Sequence, residues 1–153
     1  MREMYSFYTG RLGTALLVVR VVVGAAFIFH GLPKIADPAA FAEMMRLPVW
    51  LGFVAAWTEV IGGALLALGL LTPLAALFLA IQMVGALLVA HIPQRDPFVN
   101  PAGGSSFELA AVYLAISIAY LLAGPGAYSI DALLFGRTSE STATVPERQR
   151  GIA

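Results

Sequence analysis

Four long apolar runs are the feature of this sequence that most restricts its fold. They extend over about residues 12–30, 49–71, 74–92 and 107–123, and each is close to the ~20 residues that a helix needs to cross a bilayer core. The chain is 59% hydrophobic and 12% charged, whereas soluble domains are about half apolar and about a quarter charged. A globule of this size would leave much of that apolar surface in water. We therefore predict an all-α fold, an integral membrane four-helix bundle.

Polar segments flank the four runs. Residues 1–11 are predicted to form a short cytoplasmic segment, and residues 12–137 the four-helix domain. Residues 138–153 are rich in Ser, Thr, Glu and Arg, a composition that predicts a disordered tail. The first run is longer than the ~7–15 apolar residues of a signal peptide, and no cleavage site follows it promptly. We therefore expect it to remain in the protein as the first span.

The connections between the runs predict the topology. Only Thr72-Pro73 separates the second run from the third, which predicts a tight helical hairpin, while residues 31–48 and 93–106 are predicted to be longer loops. Four spans place both termini on one side, and the positive-inside rule favours the cytoplasm for that side. The basic residues compared are Arg2, Arg11, Arg137, Arg148 and Arg150 on the side of the termini, against Lys34, Arg46 and Arg95 on the other.

Three polar residues, Arg20, Glu59 and Gln82, interrupt the runs near the middle of the predicted spans. Charged side chains are costly in lipid, so they normally face the interior of a bundle and find partners there. Small residues share a helical stripe with Arg20 and with Glu59, which is typical of faces that pack closely. We predict an Arg20–Glu59 ion pair with Gln82 near it. This cluster either clamps the helix register or belongs to a functional site.

Four further polar residues, His30, Lys34, His91 and Glu108, lie near the outer ends of the predicted spans. They come from three helices and form a candidate rim for a pocket, although interfacial lysine and histidine also serve as simple anchors. Two histidines near one surface could instead bind a metal or haem. Neither histidine has a second ligand nearby in a spacing such as H-x-x-H, so we predict no metal site and disfavour haem.

Several classes of function are excluded by what the chain lacks. It has no cysteine, which rules out disulfides, thiolate nucleophiles and cysteine-ligated metals. The 9 lysine and arginine residues are balanced by 9 aspartate and glutamate residues. The chain therefore has no excess of basic residues that would indicate nucleic acid as a partner. The sequence also contains no GxGxxG, Walker, nucleophile-elbow or HExxH motif. An enzyme built on this chain would need a membrane-soluble cofactor or a partner chain.

Motifs in the first, second and fourth runs carry a resemblance to a known family. They are Arg20-x-x-x-Gly24-x-x-Phe27 with His30-Gly31-x-x-Lys34, then Glu59-x-x-Gly62-Gly63 with Gly69-Leu70-Leu71-Thr72, and finally Glu108 with Gly124-Pro125-Gly126 and Ser129-x-Asp131. Over residues 12–137 the chain thereby resembles the DoxX-like family of small four-helix bacterial membrane proteins. The resemblance implies a protein of the bacterial plasma (inner) membrane, associated with thiosulfate and quinone oxidoreduction or with complexes that handle thiol and oxidative stress.

Two hypotheses for the function follow from this resemblance and from the polar residues. In the first, the chain is a subunit of an oxidoreductase and binds a quinone through His30, Lys34, His91 and Glu108, with the two histidines and Glu108 as candidates for proton exchange. In the second, it is a non-enzymatic scaffold or a small transporter subunit, and the same charges fix the helix packing. The expected partners are the lipid bilayer and either a redox protein or a second copy of the chain.

Overall fold

The structure is a computed structural model that describes residues 7–136, most of which are helical. The predicted tail at 138–153 lies outside the described residues, as do residues 1–6 and Arg137. No strand occurs within the described range. The elements are α1 (Gly10–Ala36), α2 (Pro38–Met44), α3 (Val49–Leu68), α4 (Thr72–Ala86), a π-helical segment (Leu87–His91), α5 (Ile92–Gln94), α6 (Glu108–Ala123) and α7 (Ile130–Phe135).

Three helical stretches are long and apolar enough to cross a membrane, namely Gly10–Ala36, Val49–Leu68 and Thr72–Gln94. The fourth apolar helix, α6, has 16 residues, or ~24 Å at ~1.5 Å per residue, which is shorter than a ~30 Å bilayer core. Large apolar side chains on the outside of the bundle are exposed, Val22 by 64% and Leu122 by 79%, as lipid contact requires. The prediction of an all-α, membrane-embedded helical bundle is confirmed.

The prediction that residues 31–48 form a loop is wrong. Helix α1 continues through Gly31 and Pro33 to Ala36, and α2 follows at once. Gly31 is buried against α3, where a Cβ atom would lie 2.6 Å from the Val60 Cγ2 atom, so packing on α3 offsets the low helix propensity of glycine. The carboxylate of Asp37 then accepts a hydrogen bond of 2.9 Å from the Ala40 N–H and caps α2.

Helices α1 and α3 run antiparallel and make the most extensive contact in the bundle. A Cβ atom added to Gly24 would lie 2.5 Å from the carbonyl oxygen of Gly63, and one added to Gly63 would lie 2.7 Å from the carbonyl oxygen of Gly24. Both glycines are therefore required by the close approach of two backbones, the role that small residues serve in membrane helices. This contact sets which residues of α1 and α3 lie at the same depth.

Gly24→Ala is expected to lower the free energy of unfolding by about 2 kcal/mol, because the added methyl group forces α1 and α3 apart. The matched control is Gly85→Ala in α4, where a Cβ atom would meet nothing within 4 Å. That change should be neutral or stabilising by up to ~1 kcal/mol through helix propensity. Denaturant unfolding in detergent micelles measures both. Equal effects of the two substitutions would contradict the proposed close contact.

The end of the bundle that is opposite to α2 is stabilised by Asp131, which is fully buried. Its two carboxylate oxygens accept hydrogen bonds of 2.8 Å each from the backbone N–H groups of Leu71 and Thr72. Its own N–H donates to the carbonyl oxygen of Gly69 over 2.8 Å. A carboxylate at the first turn of α4 satisfies otherwise free N–H groups and complements the helix dipole. Asp131 thus fastens α7 to the turn between α3 and α4.

Candidate functional site

A cavity of about 880 Å³ opens between α1, α2, α3 and α4, at the end of the bundle that carries α2. Most of the side chains that line it are apolar, among them Phe41, Leu51, Val54 and Ile81. Its volume is within the range of small-molecule sites, which combine apolar walls with a few polar groups. The ionisable residues that line the cavity are His30, Lys34, Asp37, Glu59 and His91.

Lys34 and Glu59 form an ion pair in this cavity. The Lys34 Nζ atom lies 2.6 Å from each carboxylate oxygen of Glu59, and the exposed fraction is 23% for the Lys34 side chain and 3% for that of Glu59. The Nζ atom also lies 5.0 Å from the centre of the Phe41 ring, within range of a cation–π contact. An ammonium group has three N–H donors. Two of them are used by Glu59, which leaves one for a ligand.

The predicted Arg20–Glu59 ion pair does not form. Arg20 is buried, but its guanidinium group donates to three backbone carbonyl oxygens instead: Ala67 at 3.3 Å, Pro125 at 2.7 Å, and Tyr128. These carbonyls belong to α3 and to the segment between α6 and α7. Arg20 therefore connects three parts of the chain at the end of the bundle opposite to α2, and it does not line the cavity.

The difference from the prediction is explained by the offset of α1 along α3. The prediction placed Arg20 and Glu59 at the same depth because the first span was expected to end at residue 30, but α1 extends to Ala36. Gly24 lies beside Ala67, and Gly31 lies beside Glu59. Glu59 and Ala67 are eight residues apart, ~12 Å at ~1.5 Å per residue, so Arg20 is far from the depth of Glu59. The Lys34 side chain is the one that reaches it.

His91 is held by a carboxylate at the mouth of the cavity. Its Nδ1 atom lies 2.7 Å from the Asp96 Oδ2 atom, which also accepts a hydrogen bond of 2.5 Å from the Ser105 hydroxyl. The hydrogen bonds from Ser105 and then His91 lower the pKa of Asp96, so Asp96 is ionised near neutral pH. The stabilisation from this carboxylate is therefore present above its ordinary pKa of 3.8 and is lost as the pH falls through the lowered value.

The other predicted site residues divide between the cavity and the surface. His30 lines the cavity and packs edge-on against Tyr113, with the ring centres 6.0 Å apart. Gln82 lines the cavity together with Glu59, so this part of the predicted midplane cluster stays together although Arg20 lies elsewhere. Glu108 is exposed in the first turn of α6 and does not line the cavity. Of the four residues predicted to form the rim of a pocket, His30, Lys34 and His91 line the cavity and Glu108 does not.

The residues that the sequence did not predict include Phe41 and Ser105, which line the cavity, and Asp96, which contacts His91 and Ser105. Phe41 was placed in a loop, although Asp37 after the apolar run followed by Pro38 is a recognisable helix start. Asp96 and Ser105 come from residues 93–106, where no periodicity indicates which side chain turns back towards the bundle. Within residues 7–136 no group of three or more His, Cys, Asp or Glu side chains is arranged to hold a metal ion.

Comparisons with known proteins match the chain over this same region. The DoxX family model matches residues 15–92. A Bacillus subtilis protein named "Putative oxidoreductase CatD" is 30% identical over 127 residues, 81% of this chain and 88% of that protein. An uncharacterized protein of Haemophilus influenzae is 30% identical over 128 residues, 78% of this chain and 90% of the relative.

A third relative is an uncharacterized membrane protein of Mycobacterium tuberculosis, 29% identical over 137 residues, 82% of this chain and 84% of the relative. No solved structure matches the chain. The family match covers half of the chain and includes every ionisable residue that lines the cavity. The motifs, the helical bundle and these matches agree, and the chain belongs to the DoxX family.

Proposed function

We propose that this chain is the quinone-binding subunit of a membrane oxidoreductase in the bacterial plasma membrane. The observation that carries the proposal is the cavity between α1, α2, α3 and α4, which combines apolar walls with a small set of polar groups. A quinone has the matching chemistry, since its ring and tail are apolar and its carbonyl oxygens accept hydrogen bonds. The basic residues on the side of the termini favour a cytoplasmic position for both ends.

The polar groups of the cavity include donors suited to a carbonyl oxygen. The third N–H of Lys34 is not used by Glu59, and the ion pair holds the ammonium group in place. No hydrogen bond joins Gln82 to another described residue, and its amide lines the same cavity. Glu59 has the role of holding Lys34. Glu108 is left out of the proposed site because it does not line the cavity.

The electrons must come from another molecule. The chain has no cysteine, so thiol chemistry would depend on a partner, and a redox partner protein is part of the proposal. The name of the Bacillus subtilis relative contains the word oxidoreductase, which supports this class of function. The role assigned to the present chain is to bind the quinone ring at a defined depth and orientation.

The proposal is tested by measuring quinone in the purified protein. Protein in mild detergent is extracted for lipids, and binding of a decyl-benzoquinone is titrated in parallel. We expect quinone to co-purify at near one per chain. Gln82→Leu should weaken binding by about tenfold through the loss of one hydrogen bond, while Glu108→Gln, outside the cavity, should leave the affinity unchanged.

Absence of quinone in several preparations, together with no saturable binding, would contradict the proposal. That result would favour the alternative in which the chain is a scaffold or a small transporter subunit. An equal loss of affinity in Gln82→Leu and Glu108→Gln would place the ligand outside the cavity.

A further inference from the structure

The hydrogen bonds at His91 determine which of its nitrogens carries the proton. An ionised carboxylate only accepts hydrogen bonds, so Asp96 requires an N–H at the Nδ1 atom of His91, 2.7 Å away. In the neutral imidazole the Nε2 atom is then the acceptor. No hydrogen bond joins this Nε2 atom to another residue between 7 and 136. His91 therefore offers the cavity a hydrogen-bond acceptor.

Asp96 is itself held in place by the loop that carries it. Its Oδ2 atom accepts the Ser105 hydroxyl at 2.5 Å, and its backbone N–H donates to the carbonyl oxygen of His91 over 3.1 Å. The loop is closed by a 3.1 Å hydrogen bond from the N–H of Phe107 to the carbonyl oxygen of Pro97. The carboxylate is thus positioned before any ligand binds. Such outer partners commonly orient a functional histidine.

The π-helical segment Leu87–His91 turns His91 towards the cavity. In an unbroken α-helix, His91 would lie nine residues after Gln82 and on the opposite face, since nine steps of ~100° place it ~180° away. A π-helical turn takes more residues than an α-helical one, because its hydrogen bonds join residues five apart. The segment therefore rotates His91 back towards the side of Gln82, and both side chains line the same cavity.

We propose that Asp96 is a positioning residue that fixes His91 as a hydrogen-bond acceptor, so that the cavity binds a hydroquinol in preference to the corresponding quinone. This inference rests on the proposed function, because it takes a quinone-type ring as the ligand. A hydroquinol hydroxyl donates to the His91 Nε2 atom. A quinone carbonyl oxygen has no hydrogen to donate to the His91 Nε2 atom. The free N–H of Lys34 serves an oxygen of either form, whereas the His91 Nε2 atom accepts only from a hydroxyl.

The test compares the two ligand forms at equilibrium and needs no electron donor. Decyl-benzoquinone and its hydroquinol are titrated into the full-length protein under anaerobic conditions at about pH 8, where a histidine imidazole is ordinarily neutral. We expect the wild type to bind the hydroquinol about tenfold more tightly, the effect of one hydrogen bond. Asp96→Asn should abolish most of this preference, because its amide N–H allows the other tautomer of His91.

The matched control is Glu43→Gln, which also removes one carboxylate charge, but from an exposed position of α2 outside the cavity lining. Glu43→Gln should keep the tenfold preference for the hydroquinol. A wild type without this preference, or a preference unchanged in Asp96→Asn, would overturn the inference and leave quinone binding itself intact.

A second measurement decides the role of Asp96 without any ligand. Nitrogen NMR of the ¹⁵N-histidine-labelled wild type distinguishes the two tautomers, with the His91 signals assigned through a His30→Gln variant. We expect the Nδ1–H tautomer of His91 in the wild type. The Nε2–H tautomer would overturn the inference whether or not a ring binds. A protein with the expected tautomer that binds neither form of the ring would overturn both the ligand preference and the proposed function.

Discussion

Lys34→Met is expected to lower the free energy of unfolding by about 3 kcal/mol or more, because it leaves a buried carboxylate without its counter-charge. The Glu59 side chain is only 3% exposed. Among the described residues, Lys34 is the only hydrogen-bond donor to either of its carboxylate oxygens. Reversible denaturant unfolding in detergent micelles, followed by circular dichroism, measures the effect.

Removal of Lys34 and removal of Glu59 should lower the free energy of unfolding by different amounts. Glu59→Gln is expected to destabilise by about 1–2 kcal/mol, since the Lys34 side chain is 23% exposed and can turn to water. The double variant Lys34→Met/Glu59→Leu should recover much of the stability, because apolar replacement of a buried pair is often neutral.

Glu43→Gln is the control for these variants. It removes an exposed carboxylate from α2 and should change stability by no more than ~0.5 kcal/mol. A Lys34→Met variant as stable as this control would show that Glu59 does not depend on Lys34.

Arg20→Lys is expected to lower the free energy of unfolding by about 3 kcal/mol although it keeps the positive charge. The guanidinium of Arg20 donates to the carbonyl oxygens of Ala67, Pro125 and Tyr128. A lysine ammonium is a compact point charge without the fork of donors that spans three such acceptors, and a buried acceptor left without a donor costs about 1–3 kcal/mol. Unfolding in micelles measures the loss, and Arg11→Lys at an exposed position of α1 should have little effect.

A double-mutant cycle separates this arrangement from an Arg20–Glu59 ion pair. The effects of Arg20→Lys and Glu59→Gln should add to within ~0.5 kcal/mol, because residues at such different depths share no partner. The cycle for Lys34 and Glu59 should instead show a coupling of at least ~1 kcal/mol. Strong coupling between Arg20 and Glu59 would contradict the observed offset of α1 along α3.

The inward orientation of the charged residues could be predicted from the sequence, but their partners could not. Arg20 and Glu59 were both expected to avoid lipid, and each is buried, with 2% of the whole residue exposed. The choice of partner depends on the offset between α1 and α3, which is set by the contact of Gly24 with Gly63. A helical stripe defines a direction around the helix axis. It contains no information about which residue of the facing helix lies at the same depth.

The candidate site, too, could be predicted only in part from the sequence. His30, Lys34 and His91 were expected at one end of the bundle, and the cavity there is lined by all three. The loop residues Asp96 and Ser105 escaped prediction because irregular backbone has no period that would orient a side chain. The π-helical turn before His91 was also not foreseen, since it shifts the helical register that such predictions assume.

The four apolar runs by themselves determined the fold class, because lipid offers no other partner for so much apolar surface and no hydrogen bonds for exposed backbone. They also determined that Arg20 and Glu59 point inward. Tertiary structure alone decided that Lys34 pairs with Glu59, that Arg20 binds carbonyl oxygens at the opposite end, and that Asp96 holds His91. The physical reason is that apolar burial is non-directional, whereas each polar contact depends on distances of a few ångströms that only the packed helices define.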